Sequence, residues 1–214
     1  FPVQRVDQKS RKCAVQSRDL CVLPDPIGKQ RRKVAQGCGW TDRLTDVPGN
    51  TAYRWSREDG VSVFLQPSGA ASVEGFREPG ANGLAVSGDD RLLICNHGLR
   101  RVEAMDIETK VRTPLTTEFE GRLYNSPNDL IEASDGTIYF TDPPYGLAET
   151  DASPLKEMDV NGVYRRDPDG TVTRLFDDMT RPNGIALSPD ERSLYITNSD
   201  PENAKLRVAE LSED

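Results

Sequence analysis

The sequence contains no run of about 18 apolar residues, so it predicts no helix that crosses a membrane. Histidine is nearly absent, with His97 alone among 214 residues. The cysteines Cys13, Cys21, Cys38 and Cys95 form no CxxC pair, and with one histidine they exclude the usual zinc frameworks. A GxSxG elbow is missing as well, which disfavours a serine acyl-enzyme hydrolase of that type. No segment sustains an apolar i, i+3, i+4, i+7 stripe, so helices are not expected. Positive charge is also short: 27 Lys and Arg stand against 35 Asp and Glu, a net charge of −8. Nucleic acid is therefore excluded as the main partner, because phosphate contacts need clustered cations.

The charge that is present is divided unevenly. Residues 1–40 carry nine Lys and Arg against three Asp and Glu, which leaves a net −14 for the remainder. Three of the four cysteines fall in this basic head. It shows no periodicity of 2 or 3.6, so it is expected to be irregular and to lie outside the domain formed by residues 41–214. The opening "FPVQRVDQKS" has neither a starting Met nor the apolar core of a signal peptide, and a processed or truncated product is expected. No compartment is written in it.

Beyond the head, one sentence is repeated. "GANGLAVSGDDRLLICNHG", "SPNDLIEASDGTIYFTDPP" and "RPNGIALSPDERSLYITNSDP" each place an Asn before Gly or Asp, then a short apolar strand, a polar turn and a second strand. The three align on Asn82, Asn128 and Asn183, and the second strand ends 14, 14 and 15 positions later on an amide or carboxylate. Strands joined by Asp-Gly or Pro-Asp turns make hairpins. "TAYRWSREDGVSVFL" and "GVYRRDPDGTVTRLF" supply further hairpins, turned at Asp59-Gly60 and Asp169-Gly170. Four strands per repeat of about 40–50 residues mark a β-propeller blade, so the chain is predicted to be all-β with roughly three to four blades.

These motifs carry a resemblance. "LYNSPNDLIEASDGTIYFTDPPYGL", "NGVYRRDPDG" and "RPNGIALSPDERSLYITNSDP" resemble the SMP-30/gluconolactonase/LRE-like family, and "LLICNHGLRRV" is similar to its "CEHGNRRV" element with Asn96 in place of Glu. The likeness runs from about Leu44 to Val208. It implies a six-bladed propeller, a divalent metal (Ca²⁺ or Zn²⁺) on the axis, and hydrolysis of sugar lactones such as gluconolactone. Two family elements are absent from the chain: an "EGPVW" segment ahead of Thr45, whose Glu is a metal ligand, and a "PDG" segment after Val208, whose Asp is a ligand and proposed base.

In a propeller the innermost strands line a central channel, so Asn82, Asn128 and Asn183 are a candidate ring of amide oxygens, the donor type that hard cations take. The resemblance maps metal ligation onto Asn183 and Asn128, and substrate binding onto Asn128 and Asp129. It assigns nothing to Asn82, which reads as a turn residue at a strand start. Asn183 admits the same turn explanation, since Asn before Gly readily takes φ > 0. Asp129 either reaches the site or caps its turn, and it and Asp142 are the carboxylates nearest to hand for a general base. His97 is expected to face solvent or pack a loop, and Cys95 to be a buried small hydrophobe. Tyr145, in the rigid "DPPYG" turn, either walls a sugar pocket or merely belongs to the turn. Three functions compete: a metal-dependent lactone hydrolase impaired by the missing acidic ligands, a non-catalytic propeller binding module, and an inactive fragment.

Overall fold

The computed structural model describes residues 32–37, 41–72 and 74–211, with side chains from residue 42 onward. Among these residues there is no α-helix, only a 3-10 turn at Thr150–Ala152. Four antiparallel sheets follow one another along the chain. The first contains β1 (Arg32–Gly37), β2 (Thr41–Asp46), β3 (Thr51–Ser56) and β4 (Gly60–Leu65). The second contains β5 (Ala81–Val86), β6 (Leu92–Asn96), β7 (Arg101–Met105) and β8 (Arg112–Thr116). After a short ribbon of β9 (Glu118–Phe119) and β10 (Arg122–Leu123), the third contains β11 (Leu130–Glu132), β12 (Ile138–Asp142), β13 (Gly162–Arg166) and β14 (Val172–Phe176). The fourth has three strands, β15 (Pro182–Leu187), β16 (Ser193–Asn198) and β17 (Lys205–Glu210).

Within every sheet the spatial order equals the sequence order, so each is a meander of hairpins. The turn residues explain why. Gly60, Gly136 and Gly170 take the positive φ that ends each tight turn, while Asp90 and Glu191 do the same in the longer repeat turns. Side chains alternate between the two faces of a strand. In β6, Leu92 and Ile94 pack with Ala52 and Leu65 of the first sheet, while Leu93 and Cys95 pack with Ile138 and Phe140 of the third. This is why "LLIC" is apolar at every position: both faces of that strand are covered. Tyr139 and Val163 then meet Leu194 and Ile196 of the fourth sheet. Cys95 is fully buried in this packing, as expected for a small hydrophobe. Face-to-face blades of this kind are the architecture of a β-propeller.

One expectation is corrected. The basic head was expected to be irregular through residue 40, yet Arg32–Gly37 forms β1 and pairs antiparallel with β2, Ala35 opposite Arg43 and Gly37 opposite Thr41. A strand needs only a neighbouring edge offering N–H and C=O groups, and β2 offers one without any periodic pattern in its partner. Residues 1–31 and 38–40, with Cys13, Cys21 and Cys38, lie outside the described residues.

Candidate functional site at the strand starts

The first strands of the second, third and fourth sheets begin side by side, joined by hydrogen bonds that cross from blade to blade. Gly83 N–H donates to the Asn128 carbonyl at 2.8 Å. Ile185 N–H donates to Oδ2 of Asp129 at 3.2 Å. The Thr141 hydroxyl donates to the Asn183 carbonyl at 2.7 Å, and Thr45 makes the same bond to the Asn82 carbonyl at 3.0 Å. Thr45 and Thr141 each occupy the penultimate position of the second strand of their sheet. The recurring sequence thus becomes a recurring staple between neighbouring blades.

All three asparagines are buried, and none takes the positive φ of a turn. Asn82 lies within β5 and Asn183 within β15, which corrects the turn explanation for both. The Asn183 carboxamide donates to the Ser199 hydroxyl at 3.1 Å. The Asn128 side chain makes no hydrogen bond to another described residue. Beside it, Asp129 accepts Leu130 N–H at Oδ1 (2.8 Å) in addition to the Ile185 bond at Oδ2, so its carboxylate locks two first strands together.

Asp142 is not placed for work as a base. It is fully buried, and its two oxygens accept Asn125 N–H at 2.7 Å and Ser126 N–H at 2.8 Å. Burial pushes its carboxyl up to about 7, against the opposing pull of those two N–H groups and of Arg100. Its role is to brace the chain just ahead of Asn128. Tyr145 is half-buried in the turn that follows.

His97 differs from expectation. It is fully buried in the turn after β6, with Nδ1 3.2 Å from the Glu78 carbonyl and Nε2 3.1 Å from Nδ2 of Asn82. Burial holds its imidazolium form down to about pH 3, so it is neutral near pH 7 and its 3.9 Å approach to the Glu78 carboxylate is not an ion pair. Nothing local to His97 signals this, because the burial comes from distant segments: Gly146 sits so close that a Cβ there would lie 2.8 Å from that of His97.

The buried side-chain oxygens at these strand starts are the amides of Asn82, Asn128 and Asn183 and the carboxylate of Asp129, the donor type that a hard divalent cation takes. Among the described residues no three His, Cys, Asp or Glu side chains cluster to hold a metal ion, so the charge of a cation is not balanced by this set alone.

Antiparallel blades that follow one another along the chain, each packed on the next, define a propeller. The model of the SMP-30/Gluconolactonase/LRE-like region matches residues 36–213, and the chain belongs to that family. It is 43% identical over 171 residues to a gluconolactonase of Zymomonas mobilis, covering 78% of this chain and 48% of that protein. A solved gluconolactonase from Xanthomonas campestris superposes with a TM-score of 0.70 at 31% identity, over 86% of this chain and 59% of that one. Regucalcin from Agrobacterium tumefaciens, described as a calcium-binding protein, superposes with a TM-score of 0.62 at 20% identity, over 86% of this chain and 55% of its own, and shows the fold alone. The chain spans about half the length of the Zymomonas relative.

Proposed function

We propose that these blades belong to a metal-dependent hydrolase of sugar lactones, with its site at the joined strand starts. The observation that carries this reading is the hydrogen-bonded row that sets Asn128 and Asp129 beside Asn183. The family match and the two gluconolactonase relatives support the substrate class. A divalent cation, Ca²⁺ or Zn²⁺, would polarise the lactone carbonyl when bound. Asn183 and Asn128 present amide oxygens to it, and Asn128 and Asp129 orient the substrate. Asp129 already accepts two backbone N–H groups. That leaves it a weak candidate for the proton transfer from water, which otherwise needs a carboxylate from outside this set.

Divalent affinity rises with the number of charged ligands. The 214-residue chain is therefore expected to hydrolyse gluconolactone no faster than buffer, with or without Ca²⁺ or Zn²⁺, in a pH-stat assay. The same blades within a chain of the Zymomonas relative's full length are expected to show a metal-stimulated rate that Asn183→Ala abolishes. A longer chain without that rate overturns the proposal and favours a non-catalytic binding propeller. A metal-stimulated rate from the short chain overturns its impairment.

A further inference from the structure

Two of the three asparagines have an anchor for their carboxamide nitrogen, and the anchors occupy equivalent positions. In the second sheet Asn96 pairs with Ala81, and in the fourth Asn198 pairs with Pro182. The next residue after each, His97 and Ser199, receives the side chain of Asn82 and of Asn183, both at 3.1 Å. In the third sheet the equivalent position after Asp142 is Pro143, whose side chain offers no such partner.

The orientation of Asn82 follows from hydrogen-bond chemistry. The Glu78 carbonyl can only accept, so Nδ1 of His97 carries the proton. A neutral imidazole then leaves Nε2 as an acceptor, and the Asn82 atom facing it must be the NH₂ group. The amide oxygen is consequently turned to the opposite side, and it accepts no hydrogen bond from another described residue. Asn82 is also tied beside Asn128, because the next residue, Gly83, bonds the Asn128 carbonyl.

We propose that Asn82 is a third amide-oxygen contact of the same site and that His97 is the positioning residue that turns it there. With its NH₂ group held by His97, Asn82 presents an acceptor only. It therefore takes hydrogen-bond donors, and the hydroxyl groups of a sugar lactone supply that chemistry. The inference rests on the lactone reading and deepens it by naming the contact that selects polyhydroxylated rings.

Two measurements on the 214-residue chain test it. Nitrogen NMR of the ring should show His97 protonated at Nδ1 and not at Nε2, and a proton on Nε2 overturns the orientation. Titration with D-gluconolactam, a ring-closed analogue that resists hydrolysis, should perturb the carboxamide resonances of Asn82 and Asn128. Asn82→Ala and His97→Phe should each weaken binding about tenfold, the size of one hydrogen bond. His97→Gln, whose amide oxygen can accept the same N–H, should stay within about twofold of the parent. Weakening by Asn128→Ala but not by Asn82→Ala overturns this inference and leaves the lactone site standing. Equal weakening by the Gln and Phe variants overturns the positioning role of His97. No response to the lactam in the parent, or none changed by either Asn variant, overturns the site and the inference together.

Discussion

At the scale of single residues, two buried titratable groups give the chain opposite responses to pH. His97 is protonated at about 3 in the fold against an ordinary 6.5, so between those values the unfolded chain binds a proton that the folded chain refuses. Stability from this group is complete above about 6.5 and is lost as the pH falls toward 3. Asp142 runs the other way. Its folded value of about 7 against 3.8 means that the fold holds a proton the unfolded chain has released, so stability is lost as the pH rises across that window. Urea unfolding of the parent and of His97→Gln at pH 4, 5, 6 and 7 separates the two groups. The parent is expected to lose on the order of 3 kcal/mol relative to the variant between pH 7 and pH 4, at about 1.4 kcal/mol per unit. Parallel curves would show that His97 titrates normally and is not sealed from water. At this scale the asparagines were legible, because a repeat marks equivalent positions even where one Asn alone reads as a turn. The burial of His97 was not, because Glu78, Asn82 and Gly146 reach it from other segments.

At the scale of strands, what joins the site is the close approach of one blade's first strand to the next. Gly83 makes the approach of β5 to β11 possible: a Cβ there would lie 2.7 Å from the Asn128 carbonyl oxygen and 2.9 Å from the Asp129 Cα. Both are backbone atoms and cannot swing aside. Gly83→Ala is therefore expected to cost about 1–3 kcal/mol, the usual penalty of overpacking, and to separate Asn82 from Asn128. Chemical unfolding checks the first part, and a change of less than about 0.5 kcal/mol would mean that the strands are not held so closely. Elements were easy to place where turn chemistry spoke, as at Asp135-Gly136 and Asp169-Gly170, whose glycines take φ of 88° and 94°. β1 was missed because its segment carries charge and no alternation, and its strand state comes from pairing with β2. The cross-blade bonds of Thr45 and Thr141 were hidden for a related reason: the repeat shows the threonines, but only the stacking of sheets brings each beside the next asparagine.

At the scale of the whole molecule, the decisive fact is that each inner blade is covered on both faces while the outer face of the fourth is not. Leu93 and Cys95 on β6, and Tyr139 and Thr141 on β12, are buried against the following sheet. The equivalent residues of β16, Tyr195 and Thr197, are exposed, and their cross-strand partners Val208 and Leu206 are 54% and 60% exposed. Tyr195, Leu206 and Val208 therefore form an apolar patch on the face of a sheet whose last strand, β17, pairs with no strand beyond β16 among the described residues. Such surfaces associate with other chains, since covering them removes apolar area from water at about 25 cal/mol per Å² and satisfies the edge. The first sheet has a comparable outer face, where Val61 and Val63 are more than half exposed. The 214-residue chain is thus expected to sediment as concentration-dependent oligomers, and the paired change Leu206→Lys with Val208→Lys to shift it toward monomer by setting charge in the middle of the patch. Because both side chains already face solvent, the double variant should unfold within about 0.5 kcal/mol of the parent, which separates lost association from lost folding. A parent that remains a single monomeric species up to about 0.1 mM, a range in which exposed apolar sheet faces commonly aggregate, would show that the outer face of the fourth sheet is inert despite its composition.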